Sequence, residues 1–321
     1  MNCIGIIGLG SISNRHRQNI RKHFQKAKII VAPSNPLSTK KNIQNYDIFE
    51  SNFKNLLNHR LDFVILASPS TFHLKHAEPF LRADIPLFIE KPITASAEDA
   101  TALLQLIEQY QSRVAVGYCL RFLPSALKAR EIIQKRTLGL IYNIEINAGS
   151  YLPDWRPDIN YKDSVSASRS LGGGALLELS HELDYYQWIF GNLTVDKSYL
   201  SSSTELNLEV EDMVEIVGRD SIHDAPVHIH LDFLQKEPIR LLRVLGSKGT
   251  MEWDVISNLV SVEGEKSSQY SYNDFSYEQI YADELIAFSE CDESRIASAK
   301  ESANLIILIE MIKKTGIYLN G

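Results

Sequence analysis

The chain has 321 residues, of which 44% are hydrophobic and 23% are charged, and its formal net charge is −7 at pH 7. At roughly 100–200 residues per domain, this length predicts two domains. The acidic balance and the lack of a long Lys/Arg run argue against nucleic-acid and membrane-surface partners.

Residues 1–120 alternate strand and helix signals, which is the pattern of a doubly wound parallel sheet. The predicted strands are short apolar runs, namely Cys3–Gly8, Ile29–Ala32, Phe63–Ala67, Leu87–Ile89 and Val114–Val116. The predicted helices are Ile12–Phe24, a short Phe53–His59, His73–Arg82 and Ser96–Gln111. We therefore predict that residues 1–120 form a Rossmann domain.

After residue 120 the segments alternate apolar and polar residues, as half-exposed strands do. These segments are Ile141–Ala148, Val214–Val217, Val227–Leu234, Ile239–Leu245 and Thr250–Val255, with a turn at Gly246–Gly249 and a last helix at Glu301–Lys314. We predict that residues 121–321 form an α+β domain with a large, mostly antiparallel sheet, which holds the substrate and forms an oligomer.

Three widely spaced cysteines, Cys3, Cys119 and Cys291, indicate neither a disulfide framework nor a cysteine-rich zinc site. Free thiols are typical of a reducing compartment, so we predict a cytoplasmic protein. Residues 1–10 lack a basic segment and a cleavage pattern, which favours a first strand over a signal peptide. Because no His, Cys, Asp and Glu set has metal-ligand spacing, we predict no metal.

The turn after the first strand reads Gly8-Leu9-Gly10-Ser11-Ile12-Ser13, which follows the dinucleotide-binding pattern Gly-x-Gly-x-x-Gly except at Ser13. The glycines permit a tight turn and let the backbone approach a pyrophosphate, which would bind the helix N-terminus at Ser11 and Ile12. The position of the turn within a βαβ unit favours a cofactor. The alternative is a glycine turn that binds none.

The second strand ends in Ala32-Pro33-Ser34-Asn35, without the acidic residue that usually binds the ribose of NAD. Lys40 and Lys41 follow, and they either pair with the 2′-phosphate of NADP or form a solvated helix start. We predict NAD or NADP as the cofactor, with Ser34 and Asn35 at the ribose. We expect NADP to bind at least as well as NAD.

Further motifs are Glu90-Lys91-Pro92 at a strand end, Ser68-Pro69-Ser70-Thr71-Phe72-His73, Gly117–Phe122, Gly172-Gly173-Gly174 followed by Glu178, His181 and Asp184, Asp232–Gln235, and Gly246–Asp254. Together with the glycine turn they resemble the glucose–fructose oxidoreductase/inositol dehydrogenase (Gfo/Idh/MocA) family over nearly the whole chain. The resemblance implies hydride transfer between NAD(P) and a secondary alcohol or ketone of a sugar, sugar nucleotide or sugar acid. It also suggests a homodimer or homotetramer.

The resemblance assigns roles to individual residues. Lys91 would lie beside the nicotinamide and polarise the reacting oxygen, His181 would move the hydroxyl proton, and Glu178 would orient one of the two. The cofactor would also contact Ser68, Pro69, His73 and Glu90, and the substrate would contact Arg121 and Asp184.

The helix that carries His181 departs from the family pattern. The family places its His four residues after the carboxylate, whereas His181 follows Glu178 by three residues and Glu182 takes the family position. A helical projection puts a buried stripe opposite a polar face, which we predict to be solvated or turned to a cleft; the face contains Glu178, His181, Glu182 and Tyr185. We predict that His181 is the base, and the alternative is a surface or capping histidine.

The segment before this helix, residues 151–171, has little periodicity, and long loops of this kind are usually functional or disordered. Tyr151 and Trp155 suit a sugar face, while Arg156 and Arg169 suit a phosphate or carboxylate. The stretch 151–157 also resembles family members associated with bacterial surface-glycan pathways. We predict an anionic sugar; the alternative is that Trp155 packs the loop and Arg156 pairs with a neighbouring Asp.

Two other functions stay open at this point. Some relatives use a tightly held NAD for transient oxidation during glycoside cleavage. The shifted helix motif also leaves room for a non-catalytic NAD(P)-binding sensor or scaffold.

Overall fold

A computed structural model describes residues 2–35, 43–265 and 267–320 of the chain. In chain order the strands are β1 (Cys3–Ile7), β2 (Lys28–Ala32), β3 (Ile48–Phe49), β4 (Phe63–Leu66), β5 (Leu87–Glu90), β6 (Val114–Gly117), β7 (Ile141–Gly149), β8 (Leu193–Ser202), β9 (Met213–Asp220), β10 (Pro226–Asp232), β11 (Ile239–Gly246), β12 (Gly249–Asp254), β13 (Leu259–Gly264), β14 (Ser268–Ser271), β15 (Ala297–Ser298) and β16 (Ile317–Asn320). The α-helices are α1 (Ser11–His23), α2 (His73–Arg82), α3 (Ala97–Tyr110), α4 (Pro124–Gln134), α5 (Ala175–Glu178), α6 (Ser180–Phe190), α7 (Tyr277–Glu290) and α8 (Ala299–Thr315).

The chain divides into two compact units. The first unit contains Met1–Cys119 and Glu278–Ile307, and the second contains Leu120–Tyr277 and Leu308–Gly321. The first break falls beside the predicted boundary at residue 120, but residues 278–307 were predicted in the other domain. They belong to the first unit because β15 pairs antiparallel with β6 and adds an edge strand to its sheet.

In the described part of the first unit, seven strands form a sheet in the order β15-β6-β5-β4-β1-β2-β3. All the pairs except β15 with β6 are parallel. The residues of β1, β4 and β5 are buried throughout, as expected for parallel strands with both faces covered. The sheet therefore has the predicted Rossmann arrangement, and the loops after β1, β2, β4 and β5 meet at its carboxyl edge.

In the described part of the second unit, nine strands form a sheet in the order β14-β13-β12-β11-β7-β10-β9-β8-β16. The pairs β7 with β10 and β8 with β16 are parallel, and the other pairs are antiparallel. Burial alternates along β9 and β10, because only one face packs on the core. The prediction of a large, mostly antiparallel sheet is confirmed.

The sequence did not predict α4, α7 or the strands β3, β8, β13, β14, β15 and β16. In α7 the buried residues include Ile280, Ala282, Glu284, Leu285 and Phe288, so they surround much of the helix instead of forming one stripe. A helix of this kind gives a weak amphipathic signal.

Candidate active site

The turn after β1 presents the start of α1 to open space. Gly8 has φ of +113°, a conformation that side-chain-bearing residues rarely adopt, and a Cβ there would run into the Ala67 carbonyl. A Cβ on Gly10 would meet no described atom within 4 Å. The first turn of α1 is neutral, with Ser11 and Ile12 as its first residues. Its backbone N–H groups therefore form a place where an anion such as a pyrophosphate is stabilised.

Ser13, which replaces the third glycine of the motif, is fully buried under this turn. Its hydroxyl donates to the Gly8 carbonyl at 2.7 Å and accepts from Arg17 Nη1 at 2.6 Å. The departure from the motif is therefore compensated by a hydrogen bond that closes the turn.

Two buried histidines of α2 connect the loops at the carboxyl edge of the sheet. His73 Nε2 lies 2.9 Å from the Ser68 carbonyl, and its Nδ1 lies 3.1 Å from the Pro92 carbonyl. His73 is fully buried, so it joins the loop after β4 to the loop after β5 instead of presenting its ring at the surface. His73 therefore holds the loop at Ser68 against the loop at Pro92.

His76, which the sequence analysis missed, extends this connection to β2. Its Nδ1 lies 2.9 Å from Ser68 Oγ and its Nε2 lies 3.2 Å from the Ser34 carbonyl. Burial, followed by the neighbouring His73, lowers the pKa of His76 to about 4, so the ring is neutral near pH 7. A neutral ring can accept from the Ser68 hydroxyl and donate to the Ser34 carbonyl. The spacing of two histidines three residues apart in α2 was the available signal.

The two residues predicted to contact the ribose, Ser34 and Asn35, lie at the end of the described part of the loop after β2. Ser34 is partly buried and Asn35 is exposed. Lys40 and Lys41, which were considered as partners of a 2′-phosphate, lie outside the described residues.

Glu90 ends β5, and the partly buried Lys91 follows it. The Glu90 carboxylate, 8% exposed, lies 2.5 Å from Nε2 of the fully buried His16 in α1. The pair fixes the end of β5 against the helix that begins at the glycine turn. Glu90 is consequently a residue that positions Lys91 and the turn relative to each other.

A residue from α7 completes this edge, and the sequence analysis missed it as well. Burial raises the pKa of Tyr281, with smaller effects from Cys119, Arg15 and Glu90. The Arg15 guanidinium lies 4.4 Å from the centre of the Tyr281 ring, and its Nε lies 3.0 Å from Glu278. Because α7 lies far along the chain from the other residues of this edge, no local pattern indicates this contact.

In the second unit, the helix after the glycine run is broken at Leu179, between α5 and α6. The sequence predicted one polar face with Glu178, His181, Glu182 and Tyr185, and this prediction is wrong for two of these residues. Glu182 and Tyr185 are fully buried, whereas Glu178 and His181 are partly exposed.

Residues of the sheet explain this burial. Arg240 of β11 pairs with Glu182 through two contacts of 2.5 and 3.1 Å. Trp253 of β12 packs edge-on against the Tyr185 ring, with 4.9 Å between the ring centres. The ion pair with Arg240 allows the charge of Glu182 to be buried, and the Tyr185 ring is covered by Trp253.

Arg121 and Asp184, both predicted to contact the substrate, form a buried ion pair with each other. Arg121 donates to the two Asp184 oxygens at 2.9 and 2.7 Å, and the two side chains are 2% and 4% exposed. Because each charge is neutralised by the other, the pair is placed to hold α6 in position.

The loop before α5 consists of short 3-10 helices, and it separates the four predicted substrate residues. Trp155 and Arg156 line a cleft within the loop. Tyr151 instead donates to Glu205 at 3.0 Å, with Lys236 over its ring. The Arg169 N–H donates to the Glu209 carboxylate at 2.6 Å and its guanidinium to the Glu209 carbonyl. The two arginines are therefore in different surroundings, and only Arg156 lines the cleft.

The profile of the GFO/IDH/MocA oxidoreductase family, with an NAD-binding Rossmann fold, matches residues 3–118, and that of the GFO/IDH/MocA C-terminal domain matches residues 126–252. This chain belongs to the GFO/IDH/MocA family. The resemblance noted in the sequence is confirmed, and the first unit is an NAD-binding Rossmann domain.

Individual relatives are distant. The chain is 28% identical to the rhizopine catabolism protein MocA of Rhizobium meliloti over 145 residues, which are 45% of this chain and 43% of MocA. It is 22% identical to inositol 2-dehydrogenase of Corynebacterium glutamicum (strain R), with 72% of this chain and 68% of that protein covered. The chain thus spans only about half the length of several curated relatives it matches.

Solved structures of the GFO/IDH/MocA fold cover nearly the whole chain. The WlbA dehydrogenase of Bordetella pertussis, in complex with NADH and UDP-GlcNAcA, has a TM-score of 0.81 at 21% identity, with 98% of this chain and 95% of that chain covered. A levoglucosan dehydrogenase in complex with NADH and levoglucosan has a TM-score of 0.85 at 15% identity, with coverages of 98% and 96%. At these identities the likeness establishes the fold.

Within residues 2–35, 43–265 and 267–320, no group of three or more His, Cys, Asp or Glu side chains is arranged to hold a metal ion. None of the helices in the same ranges has the length and apolar character needed to cross a membrane.

Proposed function

We propose that this GFO/IDH/MocA protein transfers a hydride reversibly between NAD(P) and a secondary alcohol or ketone of a sugar-like substrate. Lys91 polarises the reacting oxygen, His181 moves the hydroxyl proton, and Glu178 orients one of these two groups. That Lys91 of the first unit and His181 of the second act on one substrate is part of the proposal.

The assignment of the base rests on the difference in burial between two adjacent residues of α6, His181 and Glu182. Glu182, which takes the family position, is fully buried and engaged by Arg240. His181 is partly exposed at the start of the same helix. A proton-transfer group must reach the substrate, so the contrast favours His181.

The residues of the first unit fit a dinucleotide. The open start of α1 at Gly10 would hold the pyrophosphate, Ser34 and Asn35 would contact the ribose, and the loops at Ser68 and Glu90 would line the remaining length. The bound nicotinamide would supply the hydride acceptor or donor. The missing acid after β2 supports NADP as a ligand at least equal to NAD.

A carbohydrate substrate is supported by relatives that are named for inositol and by structures that hold levoglucosan or UDP-GlcNAcA. A role in bacterial surface-glycan metabolism is consistent with the last of these. We further propose a cytoplasmic homodimer or homotetramer.

The test is a nicotinamide absorbance assay of the purified protein against neutral sugars, inositols, sugar acids and nucleotide sugars, with NAD and NADP in turn. We expect net reduction of cofactor with at least one substrate. Cofactor that survives dialysis, together with glycoside cleavage but no net reduction, would indicate the transient-oxidation mechanism. Cofactor binding without turnover of any kind would indicate a sensor.

A further inference from the structure

Arg17 places a positive charge in the interior of the first unit, in the helix that follows the glycine turn. The residue is only 2% exposed, although arginine is almost never buried unless an opposite charge accompanies it. Burial lowers the pKa of its guanidinium, but an arginine keeps its proton at any pH near neutrality. The fold therefore buries a cation, and the cation requires compensation.

The hydrogen-bond partners of Arg17 are neutral. Its Nη1 donates to Ser13 Oγ at 2.6 Å, its Nη2 donates to Asn14 Oδ1 at 3.2 Å, and its Nε donates to the Gln44 carbonyl at 2.8 Å. Across residues 2–35, 43–265 and 267–320, no carboxylate forms an ion pair with it. The residues outside these ranges include neither Asp nor Glu. No acidic side chain of this protein therefore compensates the charge.

The guanidinium joins the two places that would hold the phosphates of a dinucleotide. Ser13 Oγ donates to the Gly8 carbonyl at 2.7 Å, so Arg17 lies two hydrogen bonds from the turn that would hold the pyrophosphate. Gln44 belongs to the segment between β2 and β3, which begins beside the expected ribose site at Ser34. A bound dinucleotide would bring negative charge to this part of the unit.

Arg21, one turn further along α1, has the opposite arrangement. Its side chain is 32% exposed, and its Nη2 lies 2.8 Å from Asp47 Oδ2. The chain itself thus supplies the counter-charge of Arg21. The two arginines share one helix and differ in whether a carboxylate is present, which makes Arg21 a matched control for Arg17.

We propose that a phosphate group of the bound dinucleotide supplies the counter-charge of Arg17, which makes Arg17 a positioning residue for the cofactor. Because the guanidinium is buried, it acts across Ser13 and the turn and not through an accessible surface. NAD carries the pyrophosphate and NADP adds the ribose phosphate, and either anion lowers the cost of burying the cation. The inference concerns cofactor binding alone, so it goes beyond the proposed redox reaction and does not depend on it.

The proposal predicts that loss of the charge leaves the cofactor-free protein at least as stable. Arg17→Met removes the charge but keeps a long, unbranched side chain. The Ser13 hydroxyl keeps its bond to Gly8. Water can reach the other two acceptors, since Asn14 is partly exposed and Gln44 is exposed. The urea unfolding midpoint of the cofactor-free protein should therefore stay unchanged or rise, whereas loss of a merely structural residue would lower it.

Affinity for the cofactor should change in the other direction. Calorimetric titration of the full chain with NAD and NADP should show binding weakened by about 10–100-fold in Arg17→Met, since an attraction between partly buried charges is lost. Arg17→Lys keeps the charge and should bind both cofactors more tightly than Arg17→Met. Arg21→Met should change both affinities by less than about twofold, because that exposed charge already pairs with Asp47.

Comparison of the two cofactors identifies the phosphate. Equal losses for NAD and NADP in Arg17→Met place the counter-charge at the pyrophosphate, and a larger loss for NADP places it at the ribose phosphate. Both results support the proposal.

The proposal is overturned if Arg17→Met leaves both affinities unchanged, if Arg17→Lys binds no better than Arg17→Met, or if the urea midpoint of cofactor-free Arg17→Met falls. These results are separable from the fate of the proposed function. Cofactor binding that depends on Arg17, without turnover of any sugar, removes the proposed function and leaves this inference. Turnover of a sugar together with unchanged affinity in Arg17→Met removes only the inference.

Discussion

Substitution of two adjacent residues, His181 and Glu182, should have opposite effects on activity and stability. His181→Ala removes the proposed base from a partly exposed position at the start of α6. Glu182→Gln removes a charge that is fully buried and lies 2.5 Å from Arg240. The first change should therefore affect catalysis, and the second should affect folding.

The magnitudes follow from burial. Removing one partner of a buried ion pair costs about 3–5 kcal/mol. The Arg240 side chain is 25% exposed and can turn toward water, and Gln keeps a hydrogen-bond acceptor. We therefore expect Glu182→Gln to lower the free energy of unfolding by about 2 kcal/mol. His181→Ala should change the free energy of unfolding by less than about 1 kcal/mol. It should lower kcat by on the order of 10²–10⁴-fold, which is the usual contribution of a general acid or base.

The assay combines urea unfolding followed by circular dichroism with kcat measured by nicotinamide absorbance. Arg240→Gln is the matched control, because it breaks the same pair from the exposed side and should lower stability without a large effect on kcat. If Glu182→Gln abolishes turnover while His181→Ala is mild, the family position determines the base and our assignment is wrong.

Three further outcomes are expected. Lys91→Ala should lower kcat by at least about 10²-fold, since an ammonium at the reacting oxygen acts mainly in the transition state. The affinity for NAD(P), measured by calorimetry, should stay within a few fold of the unmutated protein. Near-normal turnover would remove Lys91 from the mechanism. NADP should bind at least as tightly as NAD in the same titration. A strong preference for NAD would show that a group elsewhere in the chain binds the ribose hydroxyls in place of the missing acid. Hydrogen bonding to Asp232, with a further contribution from Glu215, raises the pKa of His230 from 6.5 to about 9. The protonated ring should stabilise the fold by about 3 kcal/mol below pH 6.5, and this stabilisation should be lost as the pH rises through about 9. His230→Gln should remove this pH dependence from the urea unfolding midpoints measured between pH 6.5 and about 9. An unchanged pH dependence would contradict the assignment of the effect to His230.

Much of the first unit could be predicted because its signals are local. Buried parallel strands read as continuous apolar runs, and the predicted Cys3–Gly8 and Phe63–Ala67 match β1 and β4 to within one residue. The glycine turn and the Glu90-Lys91 motif lie at strand ends, where the carboxyl edge of a parallel sheet collects functional groups. The second unit was predicted less completely, since its strands are half-exposed and long loops separate them.

The sequence by itself determined the fold class, the cofactor turn and the candidate residues, because these depend on hydrophobic periodicity and on motifs a few residues long. Only the tertiary structure decided which polar side chains are accessible. Glu182 is buried through a partner 58 residues away, and Glu90 is held by a histidine 74 residues away. Periodicity assigns a charged residue to the polar face of a helix, but a charge can be buried once an opposite charge from another element neutralises it. That neutralisation is a property of contacts between distant segments, and no local pattern in the chain records it.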